Sequence, residues 1–528
     1  MSINVVNLDA LIPREDFAVA TQTQQANALE KISVIHLEGP FFGPDLRKPD
    51  FQRETTQWTQ TKVVDLIRAF VDADLIPAVI LWRSGQYIFV IDGAHRLSAL
   101  LAWIFDDYGD RQRSLEFFGG HISDEQRTIA KKTRDLVNKE VGSYQDYVAA
   151  RKNIAGAPEN MQQRLSNLAV NSVIAQWVPT TDVKSAEDSF FKINQAATPI
   201  DPTEKRILKA RNSPNAIAAR AITHAGTGHK YWDSFNSTVQ TSIESIGSAI
   251  YGALYDPAIS SKTITTLDVP VAGRGYNALP FVFDLVNECN ELNIADTTTK
   301  KDIKENLPVD PDGNLTLKYL RAVKNRLDRI TGDSPVSLGV HPVVYFYTRS
   351  GTFQPTALIA TSRFLEDLER KGKLRKFTSV RREFEQFLID HKEAMSLLIH
   401  KFGSGGRSLP WLQTYYGRVL EGLVDGKNAE EIQQAFVADS DFTFLTVPRP
   451  SNARGESTGA RHSFSANTKT ATFFSTALLT ATRCQICGGV IHKNSIQFDH
   501  IVRVREGGAV DMSNAQVSHP YCNSTYKN

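Results

Sequence analysis

Of the four cysteines in this chain, three stand near its end, at Cys484, Cys487 and Cys522, while Cys289 stands alone. Two residues separate Cys484 from Cys487, and two separate His519 from Cys522. Two knuckles of this spacing bring four soft or borderline donors to one ion at about 2.0–2.3 Å, the closed tetrahedral geometry of structural zinc. A tail of about 50 residues with so little apolar bulk has almost no core of its own, and bound zinc contributes roughly 10–16 kcal/mol of folding free energy in small peptides. The spacing therefore predicts Zn²⁺ on Cys484, Cys487, His519 and Cys522, with the ion serving as core.

The remainder is ordinary globular sequence. At about 150 residues per domain, the chain suggests three units. Its 41% hydrophobic and 22% charged residues exclude a collagen-like repeat, a low-complexity polymer and wholesale disorder. The 60 Lys and Arg against 58 Asp and Glu leave +2, so any grip on nucleic acid has to come from local patches. No apolar run approaches the ~20 residues of a membrane span. Met1–Asp9 lacks a basic region followed by an apolar core. We expect a cytoplasmic protein with reduced thiols and no membrane partner.

Between Phe51 and Phe105, a helical period in Val63, Val64, Leu66, Ile67, Phe70 and Val71 precedes two apolar runs, Ala78–Trp82 and Tyr87–Ile91, around a turn at Arg83-Ser84-Gly85. Asp92-Gly93 then opens a helix bearing Leu97, Leu100, Leu101 and Ile104. Residues 112–250 read as mostly helical. So do Leu317–Ile330, Arg363–Lys371, Val380–Phe402, Trp411–Leu423 and Ala429–Val437, the last with a capping box from Asn428 to Glu431. Pro448–Ala471 is poor in apolar residues and rich in turn formers, which marks a linker. The basic run Arg370–Lys376, with Arg381 and Arg382 beyond it, can touch a DNA backbone but reads more simply as a solvated helix end.

Between the two knuckles, strand-like residues lead to Asp499-His500, then Gly507-Gly508, Asn514 and, past Cys522, Asn523. Asp499 and Asn523 carry hard oxygen donors suited to Mg²⁺ or Mn²⁺, and His500 carries a base. Those groups suffice to activate water and stabilise a leaving oxygen on a phosphodiester. Consecutive strand residues face opposite ways, so Asp499 and His500 act together only where the strand ends or distorts. The segment over residues 480–528 resembles the HNH endonuclease motif and its ββα-metal fold. That resemblance implies His500 as general base, Asp499 and Asn523 as Mg²⁺ ligands, and Asn514 as the residue that orients the loop and His500. A single such site cuts one strand, so a double-strand break needs a second nick or a homodimer.

Near the other end, Phe51-Gln52-Arg53, Trp58 and Asp92-Gly93-Ala94-His95-Arg96 place polar groups at the mouth of a strand-to-helix turn. Gly93 lets backbone approach a ligand, the first helical amides carry partial positive charge, and Arg53 and Arg96 can grip phosphate oxygens. Asp92 can hold an arginine or a metal. With Phe190–Asn194 and Thr198-Pro199-Ile200, these stretches resemble the ParB/sulfiredoxin-like domain at the front of GmrSD-type and SspE-type restriction enzymes, over about residues 30–210. The resemblance implies binding and hydrolysis of ATP or GTP at Gln52, Arg53, Asp92, Gly93, His95, Arg96 and Asn194, coupled to control of cleavage. Ala94-His95 departs from the family's Gln-Gln.

The expectation is thus an α+β multidomain chain. It has a ParB-like α/β nucleotide-binding domain at 1–210, a mainly helical middle at 211–447, a linker at 448–475 and a zinc-stapled HNH module at 476–528. Its expected activity is NTP-regulated, modification-dependent cleavage of phage DNA in a restriction system. The competing class is an NTP-gated DNA sensor whose tail is a zinc-held clamp without hydrolytic activity.

Overall fold

The computed structural model describes residues 5–15, 29–49, 55, 58–118, 122, 124–179, 189, 207, 210–227, 231–259, 261, 263–273, 278–292, 309–403, 405–445 and 464–526. The chain forms two compact units, Met1–Ser245 with Asp302–Leu317, and Ile246–Lys301 with Lys318–Asn528. Residues 211–245 thus fall with the first unit, and the cysteine-bearing tail shares the second with the helices that precede it. Among the described residues no helix is long and apolar enough to cross a membrane.

The first unit is built on a six-stranded mixed sheet of β1 (Arg14–Glu15), β2 (Lys31–Ile32), β3 (Leu46–Pro49), β4 (Val79–Ser84), β5 (Tyr87–Asp92) and β6 (Val173–Trp177), in the order β1-β3-β5-β4-β6-β2. β4 and β5 form the antiparallel hairpin read from the two apolar runs, with Trp82 opposite Phe89 and Ile80 opposite Asp92. Helix α1 (Gln60–Val71) starts at Thr59, whose hydroxyl accepts from the Lys62 amide, and buries Val63, Val64, Ile67, Phe70 and Val71. Each such side chain contributes roughly 1.5–3 kcal/mol on burial. Helix α2 (Ala94–Phe105) is buried over most of its surface, and Trp103 donates to the Gly142 carbonyl at 2.9 Å.

One strand differs from the sequence expectation. Val173–Trp177 lies inside the stretch read as helical, yet it pairs in parallel with β4 and antiparallel with β2. Its burial alternates, Val173 and Ala175 inward against exposed Ile174 and Gln176, which is the period of a half-buried strand. Five residues between helices are too few for that period to stand out.

The second unit is helical. Pro355–Arg370, Leu374–Ser379, Arg381–Asp390 and Leu409–Val424 enclose an aromatic core in which Phe364 stacks on Phe384 at 5.8 Å and Phe384 meets Phe377 edge-on at 5.4 Å. The expected capping box is present: the Asn428 amide oxygen accepts from the Glu431 amide, and Glu431 accepts from that of Asn428. Tyr345, Phe346 and Tyr347 are fully buried. The stretch expected to be linker turns helical at Ala466, where Ser465 caps Ala466–Ala477 and Phe474 is buried. The Thr470 hydroxyl accepts from the Ile264 amide at 2.9 Å, so part of that stretch is packed against the unit.

The tail completes the unit. β7 (Gln497–His500) pairs antiparallel with β8 (Ala515–Ser518), Asp499 opposite Gln516 and His500 opposite Ala515, and a helix over Pro520–Tyr526 follows. That helix is pinned to the chain around residue 336: the Tyr521 amide donates to Ser337 O at 2.9 Å, and the Ser524 hydroxyl to Pro335 O at 2.7 Å.

Candidate metal centre

The donor atoms of Cys484, Cys487, His519 and Cys522 all lie within 4.8 Å of one another, and all four residues are buried. A tetrahedron with legs of about 2.0–2.3 Å separates its corners by about 3.3–3.8 Å, so these donors fit Zn²⁺ with a small inward adjustment. His519 Nδ1 stands 3.4 Å from Cys487 Sγ, and Nε2 stands 3.3 Å from the Val490 carbonyl. With Nε2 donating to that carbonyl, Nδ1 keeps its lone pair, the tautomer a metal ligand needs, and that lone pair faces both Cys487 Sγ and Arg381 Nη1, the latter 3.3 Å away. Burial, reinforced by Arg381, lowers the pKa of the His519 imidazole and keeps it neutral.

The thiols make the same point. Hydrogen bonding to Cys484 pushes Cys487 up to about 11 and also raises Cys522, while the same contacts hold Cys484 down. Packed so closely, one sulfur ionises at the expense of the other two. A divalent cation supplies the charge that lets all three act as thiolates.

Helices of the second unit wall this cluster. Arg381 and Glu385 are an i,i+4 pair at 2.7 Å, each 0% exposed. Arg381 donates to the carbonyls of Leu338 and Gly339 and stands 3.9 Å from Cys487 Sγ. Glu385 accepts from the Val490 amide at 2.6 Å and from Tyr345 Oη at 3.1 Å. A buried ion pair is tolerated only when its other hydrogen bonds are satisfied, and here both partners spend theirs on the knuckle and its supports. Gly339 has φ +58°, and a Cβ there would meet His519 Cδ2 at 2.5 Å. Arg381, read from sequence as part of a solvated run, is therefore interior. Phe384, Phe387 and Leu388 around it on the same helix, with a carboxylate four residues on, are the signal that places it there.

β7 contains both Asp499 and His500 in regular pairing and ends at His500, whose partner Ala515 is the first residue of β8. The next amide, Ile501, donates to Asn514 O at 2.8 Å. The Asn514 side chain is buried and closes the loop: its oxygen accepts from the Val502 amide at 2.7 Å, and its nitrogen donates to Val502 O at 2.9 Å and Ala509 O at 2.7 Å. Asp499 accepts from Gln516 Nε2 at 3.0 Å, and Asn523 Nδ2 donates to Gln497 Oε1 at 3.0 Å. Gln497 and Asp499 share one face of β7, the face turned to the helix that carries Asn523. Sequence reading passed over Gln497 and Gln516. Gln497 is legible only through the strand period that puts it two residues from Asp499.

In the first unit, Asp92, Gly93, His95 and Arg96 meet at one turn, whereas Gln52, Arg53 and Asn194 lie outside the described residues. Gly93 has φ +96° and opens α2, and a Cβ there would meet Val79 Cγ1 at 2.5 Å, so the position requires glycine. Arg96 reaches back to Asp92 at 2.7 Å and to the Ala78 carbonyl at 3.1 Å. His95 stacks on Trp58 with ring centroids 5.5 Å apart. Asp92 thus holds an arginine, one of the two roles its position allows.

Two family models match the chain. One, described as the N-terminal domain of the GmrSD restriction endonuclease, covers residues 36–212; the other, HNH endonuclease, covers residues 484–528. No curated protein and no solved structure matches it. The two matches support a restriction-type nuclease with DNA as substrate, and HNH domains use a metal.

Proposed function

We propose that this chain is an NTP-regulated, modification-dependent DNA endonuclease that hydrolyses phosphodiesters at the end of β7. The observation that carries the reading is one module in which a buried Cys₃His cluster supports a strand ending in Asp499-His500, opposite the helix bearing Asn523. His500 accepts a proton from the attacking water. Asp499 and Asn523 hold Mg²⁺, which when bound stabilises charge on the leaving 3′ oxygen. Gln516 and Gln497 fix the side chains of Asp499 and Asn523, and Asn514 holds the loop that follows His500. Products are 5′-phosphate and 3′-hydroxyl ends.

The turn at Asp92–Arg96, with Gln52, Arg53 and Asn194, takes the triphosphate of ATP or GTP against the amino end of α2. Arg96 meets Asp92 and the Ala78 carbonyl through Nη2 alone, so a phosphate taken by its other N–H groups would share one guanidinium with the carboxylate. This couples occupancy to the local structure of the turn.

The test is Mg²⁺-dependent cleavage of supercoiled plasmid, bare and modified, by wild type and His500→Ala. We expect a loss of about 10²–10⁴-fold in the variant. Cutting that persists in purified His500→Ala removes the assigned base, and no cutting of any DNA by wild type favours a non-hydrolytic clamp. Nucleotide turnover unchanged in both Asp92→Ala and Arg96→Ala would remove the proposed pocket.

A further inference from the structure

Between residues 370 and 383 the sequence carries seven cations, Arg370, Lys371, Lys373, Arg375, Lys376, Arg381 and Arg382, against one acid, Glu383. The fold uses three of them. Arg370 and Lys371 are held by Asp367, and Arg381 is buried against Glu385. Arg375, Lys376 and Arg382 are exposed and Lys373 half-exposed, with no acidic partner for any of the four among the described residues. Like charges gathered without counter-charges repel one another, so this cluster adds nothing to the stability of the unit.

Its position gives it a use. The short helix Leu374–Ser379 that carries Arg375 and Lys376 touches the tail module directly, through a hydrogen bond between Thr378 Oγ1 and Tyr526 Oη. Tyr526 lies three residues beyond Asn523 on the same helix, a rise of about 4.5 Å. The stem of Arg382 lies over Gly488 in the zinc knuckle, where a Cβ would meet its own Cβ at 2.6 Å and its Cγ at 3.1 Å. The elements that carry these cations therefore contact the module at two places, the end of the Asn523 helix and the zinc knuckle.

We propose that Lys373, Arg375, Lys376 and Arg382 form a track for the phosphate backbone of duplex DNA, engaging phosphates next to the scissile one and holding the duplex against the strand-end site. The proposal rests on the nuclease reading for its choice of partner. The buried Arg381–Glu385 pair fixes the track to the knuckle, so backbone grip and scissile phosphate keep a set spacing. Phosphate contacts of this kind position the duplex and read no sequence. Each releases counterions, with a slope in log affinity against log salt of about 0.9 per phosphate.

The test measures binding of a 30-base-pair duplex (roughly three helical turns) to the full chain carrying His500→Ala, as a function of salt. Adding Arg375→Gln, Lys376→Gln and Arg382→Gln together is expected to weaken binding at least about tenfold at 100 mM salt and reduce the slope by about 3. Zinc content and melting temperature stay as in the parent, which separates lost grip from lost fold. Arg370→Gln with Lys371→Gln, whose charges are already spent on Asp367, is expected to change affinity less than about twofold. Unchanged affinity and slope in the triple variant would overturn the track. So would an equal effect from the paired variant, or no duplex binding by the parent at low salt. Cleavage by the chain with His500 intact is scored separately. Track-dependent binding without cleavage sinks the nuclease reading and leaves the track, whereas cleavage with track-independent binding does the reverse.

Discussion

Cys484, Cys487, His519 and Cys522 sit beneath helices, each donor turned inward and the imidazole fixed by a carbonyl. Asp499, His500 and Asn523, in the same module, lie half-exposed and are held by side-chain amides or adjoin a loop closed by one. The difference follows from what each set has to do. A structural ion replaces a core, so its ligands are supported by interior groups, here the Arg381–Glu385 pair, and water is excluded. A hydrolytic edge has to admit a phosphodiester and water, so its groups stay open and their orientation comes from neighbours such as Gln516, Gln497 and Asn514.

If that contrast is right, damage to the two sides has separable signatures. The largest effect is expected from Cys487→Ala. Zinc is lost, the tail loses its fold, and cleavage falls by more than about 10³-fold, since the module's folding energy is mostly metal binding. Metal analysis with a cleavage assay checks this, and full activity in zinc-free protein would break the contrast. Next is Arg381→Met, which leaves Glu385 buried without its counter-charge and is expected to cost about 3–5 kcal/mol in denaturant unfolding. Adding Glu385→Leu should recover most of that loss, and a double variant as unstable as the single one would show that the pair does more than neutralise itself.

Effects on the open side are smaller and leave zinc in place. Asn514→Ala removes three hydrogen bonds from a buried amide and is expected to lower cleavage about tenfold, with a stability loss of about 1–3 kcal/mol. Gln497→Ala removes one partner of Asn523 and is expected to lower cleavage about three- to tenfold, with melting temperature nearly unchanged. The readout that sharpens the comparison is the Mg²⁺ concentration needed for half-maximal rate, which should rise in Gln497→Ala and stay fixed in Asn514→Ala.

The sequence showed these two sides unequally. Knuckle spacing alone brought Cys484, Cys487, His519 and Cys522 together, because ligand chemistry demands that geometry whatever surrounds it. The hairpin and α1 were legible from period, as Val63, Val64, Ile67, Phe70 and Val71 all turn inward. What stayed hidden depends on tertiary partners. Val173–Trp177 becomes a strand because β4 lies beside it. Arg381 becomes interior because Leu338, Gly339 and the knuckle accept its hydrogen bonds. Arg96, quoted for its reach toward phosphate, spends that reach on Asp92 in this conformation. The local sign in both cases is a carboxylate four residues away, Asp92 for Arg96 and Glu385 for Arg381, and it does not by itself say whether the guanidinium is also free to take a ligand.

The most direct measurement is Mn²⁺ binding to the zinc-loaded chain followed by electron paramagnetic resonance. The account predicts one Mn²⁺ per chain with zinc retained, and loss of that site in Asp499→Ala and in Asn523→Ala while zinc still stays. Mn²⁺ that binds equally well to both variants, or that enters only by displacing zinc, would contradict the claim that one module carries a buried structural ion and a separate open catalytic one.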